Sequence, residues 1–252
     1  MLEVHHLSRS FGGVKAADDI SLAFADGSLT AVIGPNGAGK STFFNLVTGA
    51  LKPDHGRIRL DEFDLTGLSP PEIVRRGIGR AFQVARIFPS LTVHETMLAA
   101  VGADQGRAGV LHRRFPLAET RDRADHAMEL LGLAGKRGRT AATLSHGDQK
   151  LLDIALALVL DPKVLLLDEP TAGMGTEERW RMIEKVYELW QRQNITVVFI
   201  EHDMDIVFRI APSIVVLCYG RILATGPPQS IRQNPAVIEA YLGTSQHAEV
   251  AL

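Results

Sequence analysis

A near-continuous apolar run, Leu29-Thr30-Ala31-Val32-Ile33, leads directly into Gly34-Pro35-Asn36-Gly37-Ala38-Gly39-Lys40-Ser41-Thr42. An unbroken run of this kind reads as a strand buried on both faces. The nine residues after it fit the phosphate-loop pattern G-x-x-x-x-G-K-[ST]. Glycines let successive backbone N–H groups turn inward around a polyphosphate without Cβ clashes. A helix is expected from Lys40, carrying Phe43, Phe44, Leu46 and Val47 inward and stopping at Gly49. Its N-terminus adds a positive end to the cradle. Lys40 is then placed to reach the β- and γ-phosphates, Ser41 to ligate Mg²⁺, and Thr42 to add a phosphate contact. Strand, loop and helix must follow in that order, which confines the fold to the α/β class with a parallel sheet.

A second motif matches this chemistry. Val164-Leu165-Leu166-Leu167 ends in Asp168-Glu169-Pro170. A buried parallel strand delivers its last residues to the carboxyl edge of its sheet, where ligands bind. Asp168 is the candidate to hold Mg²⁺. Glu169 is the candidate general base for an attacking water.

The rest of the chain supports α/β alternation at both ends. Leu2, Val4 and His6 alternate with polar residues, as do Ile20 to Phe24 before the turn pair Asp26-Gly27. Arg57 to Leu60 reads as a further strand after the loop Lys52 to Gly56. From about Thr92 to Val159 helical spacing dominates, with Glu119 to Leu131 amphipathic and closing at Gly132. Gly102 to Gly109 reads as a polar, mobile connection. Helix 177–191, strand 195–200, helix 204–210 and a hairpin around Tyr219-Gly220 complete the pattern.

Composition excludes several classes. With 252 residues, 46% hydrophobic and 22% charged, the chain has material for a real core. Lys+Arg 27 against Asp+Glu 29 gives a formal charge of −2, so no nucleic-acid partner is expected. One cysteine, Cys218, rules out an internal disulfide framework and a thiolate zinc cage. His5 and His6 have no recognisable metal-site partners. The N-terminus lacks the apolar stretch of a signal peptide. The longest apolar runs stop at Asp161-Pro162 and Asp168-Glu169-Pro170, too short to cross a bilayer.

Leu144-Ser145-His146-Gly147-Asp148-Gln149-Lys150, shortly before the acidic strand, resembles the L-S-G-G-Q motif of ABC transporter ATPases. Gln83 in Ala81-Phe82-Gln83 matches that family's glutamine loop, and His202 in Ile200-Glu201-His202-Asp203 its switch histidine. Phe11 sits where the family places an aromatic that stacks on adenine. The resemblance covers nearly the whole chain. It implies a P-loop NTPase (RecA-like) core with an antiparallel β subdomain and an inserted α-helical subdomain, about 84–155. One ATPase domain over 1–243 and a disordered tail at 244–252 are expected.

The resemblance also implies two cassettes facing head to tail, as a homodimer or with a sister ATPase. ATP with Mg²⁺ then lies between the phosphate loop of one and Ser145 and the Gly147 N–H of the other. Gln83 would ligate Mg²⁺ and sense the membrane partner, and His202 would bond the γ-phosphate. Two departures stand out. His146 and Asp148 replace the usual glycine and glutamine. Asp148 is expected to point away from the polyphosphate. After Pro170-Thr171, Ala172-Gly173-Met174-Gly175 replaces Ser-Ala-Leu-Asp, which removes a carboxylate expected to connect the two ATP sites.

The segment Gly79 to Glu95 and the end, Gly226 to Gly243, look like the branched-chain amino acid importer ATPases, whose relatives handle urea and short amides. The function implied is the ATP-hydrolysing, energy-coupling subunit of a membrane importer. It would sit peripherally on the cytoplasmic face of the bacterial inner membrane. Its partners would be integral permease subunits and, indirectly, an external solute-binding protein. Val84, Ile87 and Phe88 are candidates for the permease contact. The alternative is a soluble ABC ATPase acting on a macromolecular complex, but such proteins usually carry two cassettes or a coiled-coil insertion, and this chain has neither. A guanine-reading Asn-Lys-x-Asp is absent, which disfavours a GTPase. Glu169 and His202 argue against a subunit that binds without hydrolysing.

Overall fold

The computed structural model describes residues 1–104 and 118–248. In chain order the elements are β1 (Leu2–Phe11), β2 (Val14–Phe24), β3 (Leu29–Ile33), α1 (Lys40–Val47), β4 (His55–Leu60), β5 (Phe63–Asp64), α2 (Pro70–Arg75), β6 (Ile78–Ala81), α3 (Val93–Asp104), α4 (Ala118–Leu130), α5 (His146–Leu158), β7 (Val164–Asp168), α6 (Thr176–Gln193), β8 (Thr196–Ile200), α7 (Met204–Ile210), β9 (Ser213–Cys218), β10 (Arg221–Gly226), α8 (Pro228–Arg232) and α9 (Pro235–Ala248). They fall into two compact units: Met1–Arg76 with the chain from Thr196 onward, and Gly77–Ile195.

The first unit holds an antiparallel sheet ordered β2-β1-β4-β5. The β1–β2 ladder pairs Leu2 with Phe24 and Val4 with Leu22, then shifts register before Leu7 pairs with Ile20. His6 and Asp19, with φ of 50° and 60°, lie beside those shifts. An extra residue in a ladder needs such a kink, and Asp tolerates it better than a β-branched residue. The same unit holds β3 between β8 and β9, parallel to both, and β10 antiparallel to β9. Every residue of β3 and β8 is buried, as an unbroken apolar run requires. Phe24 of β2 and Phe43 and Phe44 of α1 form a tilted ring stack with centroids 6.3 Å apart. That stack anchors α1, and with it the phosphate loop, to the strands beneath.

The second unit pairs β6 with β7 in parallel, Arg80 opposite Leu166 and Ala81 opposite Leu167. Helices α3, α4 and α5 pack together, and α6 buries Met182, Ile183, Val186 and Leu189 at helical spacing. Several expectations differ from the structure at their edges, β4 for one beginning at His55 rather than Arg57. Gly102 is a buried residue of α3 rather than part of a connection, while residues 105–117 of that stretch lie outside the described residues. Helix α9 continues past Gly243 to Ala248, and residues 249–252 of the expected tail lie outside the described residues. Among the described residues no helix is long and apolar enough to cross a membrane.

Candidate functional site

The phosphate loop lies in the first unit. Gly39 is the N-cap of α1 with φ of +100°, and a Cβ there would lie 2.2 Å from the Ala16 carbonyl oxygen. At Gly34 a Cβ would lie 2.1 Å from the Leu217 carbonyl oxygen. Glycine is therefore required twice by close backbone approach. At Gly37, by contrast, a Cβ would meet nothing within 4 Å, so that side of the loop faces open space. The β9–β10 turn braces the loop from outside: Gly220 donates its N–H to the Ala38 carbonyl at 3.0 Å and accepts the Asp18 N–H at 2.8 Å. Lys40 is buried, and its Nζ donates to the carbonyls of Gly34 at 2.7 Å and Pro35 at 3.1 Å. The ammonium is thus folded back into the loop. Ser41 is exposed and Thr42 half-buried. The first-turn N–H groups of α1 have no preceding carbonyl within the helix to bind, so the loop can present several donors to an anion.

His202 and Phe11 belong to the same unit. His202 is exposed, one residue beyond the buried Glu201, whose Oε2 accepts the His202 N–H at 3.1 Å. Asp203 then caps α7, accepting the N–H of Asp205 at 3.1 Å. Phe11 closes β1, partly exposed, with the Arg9 guanidinium 5.0 Å from its ring centroid.

The acidic strand end lies in the second unit. Asp168 is 7% exposed, and its Oδ2 is 2.6 Å from Nη2 of Arg80 on the neighbouring strand β6. Glu169 has φ of +47°, a conformation uncommon outside glycine that costs about 1–3 kcal/mol. Its Oε2 accepts from Gln83 Nε2 at 2.6 Å. Gln83 and Glu169, joined in the sequence reading only by assigned roles, are therefore in contact. The loop after β6 is held by charges as well. The guanidinium groups of Arg80 and Arg86 lie 4.9 Å and 4.1 Å from the Phe82 ring centroid.

Ser145 is the N-cap of α5, its hydroxyl accepting the Asp148 N–H at 3.2 Å. The two sequence departures meet here. His146 Nε2 is 3.1 Å from the Ala172 carbonyl oxygen and would lie 3.4 Å from a Cβ on Gly173. The imidazole occupies space that small residues at 172 and 173 leave open. The Asp148 carboxylate pairs with Lys136 at 2.5 Å. The Gly147 N–H donates to Glu178 Oε1 at 3.2 Å, so a carboxylate already lies on that amide. Three further residues, to which no motif assigned a role, support the site: Arg80, Lys150 and Asp153. The last two are buried polar residues of α5, and burial raises the Asp153 carboxyl against the hydrogen bonds and positive charges around it. The only sequence signal for them was a Lys and an Asp on an otherwise apolar helix face.

An ABC transporter family model matches residues 17–172, and a model for branched-chain amino acid ATP-binding cassette transporters matches residues 221–247. The chain belongs to the ABC transporter family and has the P-loop ATPase fold of its ATP-binding cassettes. Among curated proteins it is 41% identical over 249 residues to the high-affinity branched-chain amino acid transport ATP-binding protein LivG of Salmonella typhimurium, covering 96% of this chain and 98% of that protein. It is 39% identical, with the same coverage, to BraF of Pseudomonas aeruginosa, which carries the same description. A solved ABC transporter cassette in its ADP conformation superimposes with a TM-score of 0.85 at 33% identity, over 96% of this chain and 98% of that one.

Proposed function

We propose that this chain binds and hydrolyses ATP as the energy-coupling subunit of a membrane importer for branched-chain amino acids or related small polar solutes. The observation that carries the reading is the double backbone constraint at Gly34 and Gly39, in a loop whose Gly34 and Pro35 carbonyls hold the buried Lys40 ammonium. Gly34 to Thr42 grip the phosphates of the substrate ATP. Lys40 leaves its two loop carbonyls for the β- and γ-phosphates. Phe11 offers its exposed face to the adenine. Glu169 orients the attacking water and takes its proton as the water oxygen bonds to the γ-phosphorus and the bond to ADP breaks. Gln83 holds the Glu169 carboxylate in place before that step. His202 donates to the γ-phosphate. From a second cassette, Ser145 and the Gly147 N–H close on the same phosphate, which requires the Glu178 carboxylate to leave that amide.

The residues suit magnesium. Ser41, Gln83 and Asp168 supply oxygen donors, which this hard cation takes, and the Asp168 carboxylate already carries a cationic partner in Arg80. Magnesium bound there would screen charge on the β- and γ-phosphate oxygens. Magnesium in such a site is held by one or two carboxylates together with substrate phosphates. Val84 and Phe88, 78% and 51% exposed, with the half-buried Ile87, are the surface offered to a permease subunit at the cytoplasmic face of the inner membrane. Lys40→Ala is expected to lower ATP turnover by at least about 100-fold, in line with losing a main electrostatic contact to the transition state. Glu169→Gln is expected to bind ATP, stop hydrolysis and shift the chain to a dimer in size-exclusion chromatography. Wild-type turnover in both variants would refute the assignment.

A further inference from the structure

Helix α5 begins at the Ser145 cap and then buries two charged side chains, Lys150 at 2% exposure and Asp153 at 4%. Three residues apart, they share one face of the helix. Lys150 Nζ donates to the carbonyl of Phe82 at 3.0 Å and to that of Glu169 at 3.2 Å. Asp153 accepts the Phe82 N–H through Oδ2 at 2.7 Å and the Arg86 N–H through Oδ1 at 3.0 Å. Both backbone polar groups of Phe82 are thus bound by side chains of one helix. The next residue is Gln83, whose amide holds the Glu169 carboxylate at 2.6 Å. The same lysine also binds the Glu169 backbone. Burying two ions is costly, and well-packed apolar residues would stabilise the helix at least as well. What apolar residues cannot do is bind three main-chain groups at the two ends of the 82–86 segment and a fourth at Glu169.

We propose that Lys150 and Asp153 are positioning residues that key α5 to the backbone carrying Gln83 and Glu169. A shift of the Ser145 end of the helix then moves the hydrolytic pair with it. The helix is stiff, and eight residues separate Ser145 from Asp153, about 12 Å at 1.5 Å per residue. Movement at its first turn therefore reaches the clasp without relying on a flexible link. The inference rests on the reading of Gln83 and Glu169 as hydrolytic machinery.

The test uses the full chain and two measurements: hydrogen exchange at the Phe82 and Arg86 amides, and ATP turnover resolved into kcat and KM. Asp153→Ala is expected to speed exchange at both amides by about tenfold or more, the loss of a hydrogen bond to a charged acceptor. It should lower kcat by about tenfold with KM within about twofold, because nucleotide binding is left intact. Lys150→Met should lower kcat in the same way, and Lys150→Arg should restore most of it. Should Asp153→Ala fail to fold, Asp153→Asn serves: it keeps one acceptor, so one of the two amides exchanges faster and kcat falls severalfold. Unchanged exchange, or exchange that rises while kcat stays at the wild-type value, overturns the proposal. Loss of KM rather than kcat overturns it too. Failure of the underlying reading looks different: Glu169→Gln would then turn over ATP normally, while the exchange data still report whether the clasp exists.

Discussion

The phosphate loop and the acidic strand end are built by opposite means. The loop is a backbone structure. Its shape follows from glycines that no other residue can replace, and its outside contacts at Ala16, Leu217 and Gly220 are main-chain atoms. The Asp168–Glu169 end is a side-chain structure. Its carboxylates are held by Arg80 and Gln83 from β6 and the turn after it, and its main chain by Lys150 from α5. A backbone device is written in consecutive residues. A side-chain device is assembled from segments up to 88 positions apart. The first fails when Gly34 or Gly39 gains a side chain, and the second fails when a distant residue changes.

The contrast can be broken from either side. The largest effect is expected at Arg80, where Arg80→Met leaves Asp168 buried without its guanidinium. Removing one partner of a buried ion pair costs about 3–5 kcal/mol, measurable by urea unfolding. A further Asp168→Asn change should recover part of that loss. Recovery would show that the unpaired charge, rather than lost packing, is the cause. Gly39→Ala comes next. Its Cβ must displace the Ala16 carbonyl, so about 2–4 kcal/mol of stability and most ATP affinity in calorimetry should be lost. A variant that binds ATP normally would show the loop to be more plastic than its geometry states.

The smallest effect is electrostatic. The Arg221 guanidinium, aided by Lys15, holds the Asp18 carboxyl below the usual carboxylate range. A depressed folded-state value gives stability that is present above the unfolded pKa. It is lost as pH falls through the folded value. Arg221→Ala should therefore lower stability slightly at neutral pH, leave it nearly unchanged below the folded value, and so flatten the acid slope between the two. A curve that keeps its acid slope would place the pH dependence in other carboxylates. Because Asp18 also donates its N–H to Gly220, the same variant shows how firmly the β9–β10 turn braces the loop.

Much of this could be read from the sequence. The near-continuous apolar run Leu29–Ile33 and the run Val164–Leu167 before Asp168 became strands buried along their whole length, because burial on both faces leaves no room for alternation. The amphipathic spacing over Glu119 to Leu131 matches α4, which ends one residue earlier, at Leu130. The capping role of Ser145 was missed, although serine before a helix is a known signal, because the phosphate-binding reading claimed the residue first. Gly102 belongs to α3 rather than to a connection because glycine is only weakly unfavourable in a helix and burial outweighs that cost. The contact between His146 and Ala172 was equally hidden. Two unusual positions 26 residues apart carry no mark that one fills the space beside the other.

The order of residues alone determined the strand–loop–helix around Lys40 and the pair of carboxylates at a strand end. Local backbone sterics and period-2 or period-3.6 burial are properties of neighbours in the chain. Which cation lies beside Asp168, which amide restrains Glu169, and why α5 buries a lysine and an aspartate were decided only by tertiary structure. Such pairings depend on strand register and helix packing, which bring together groups that the chain itself keeps apart.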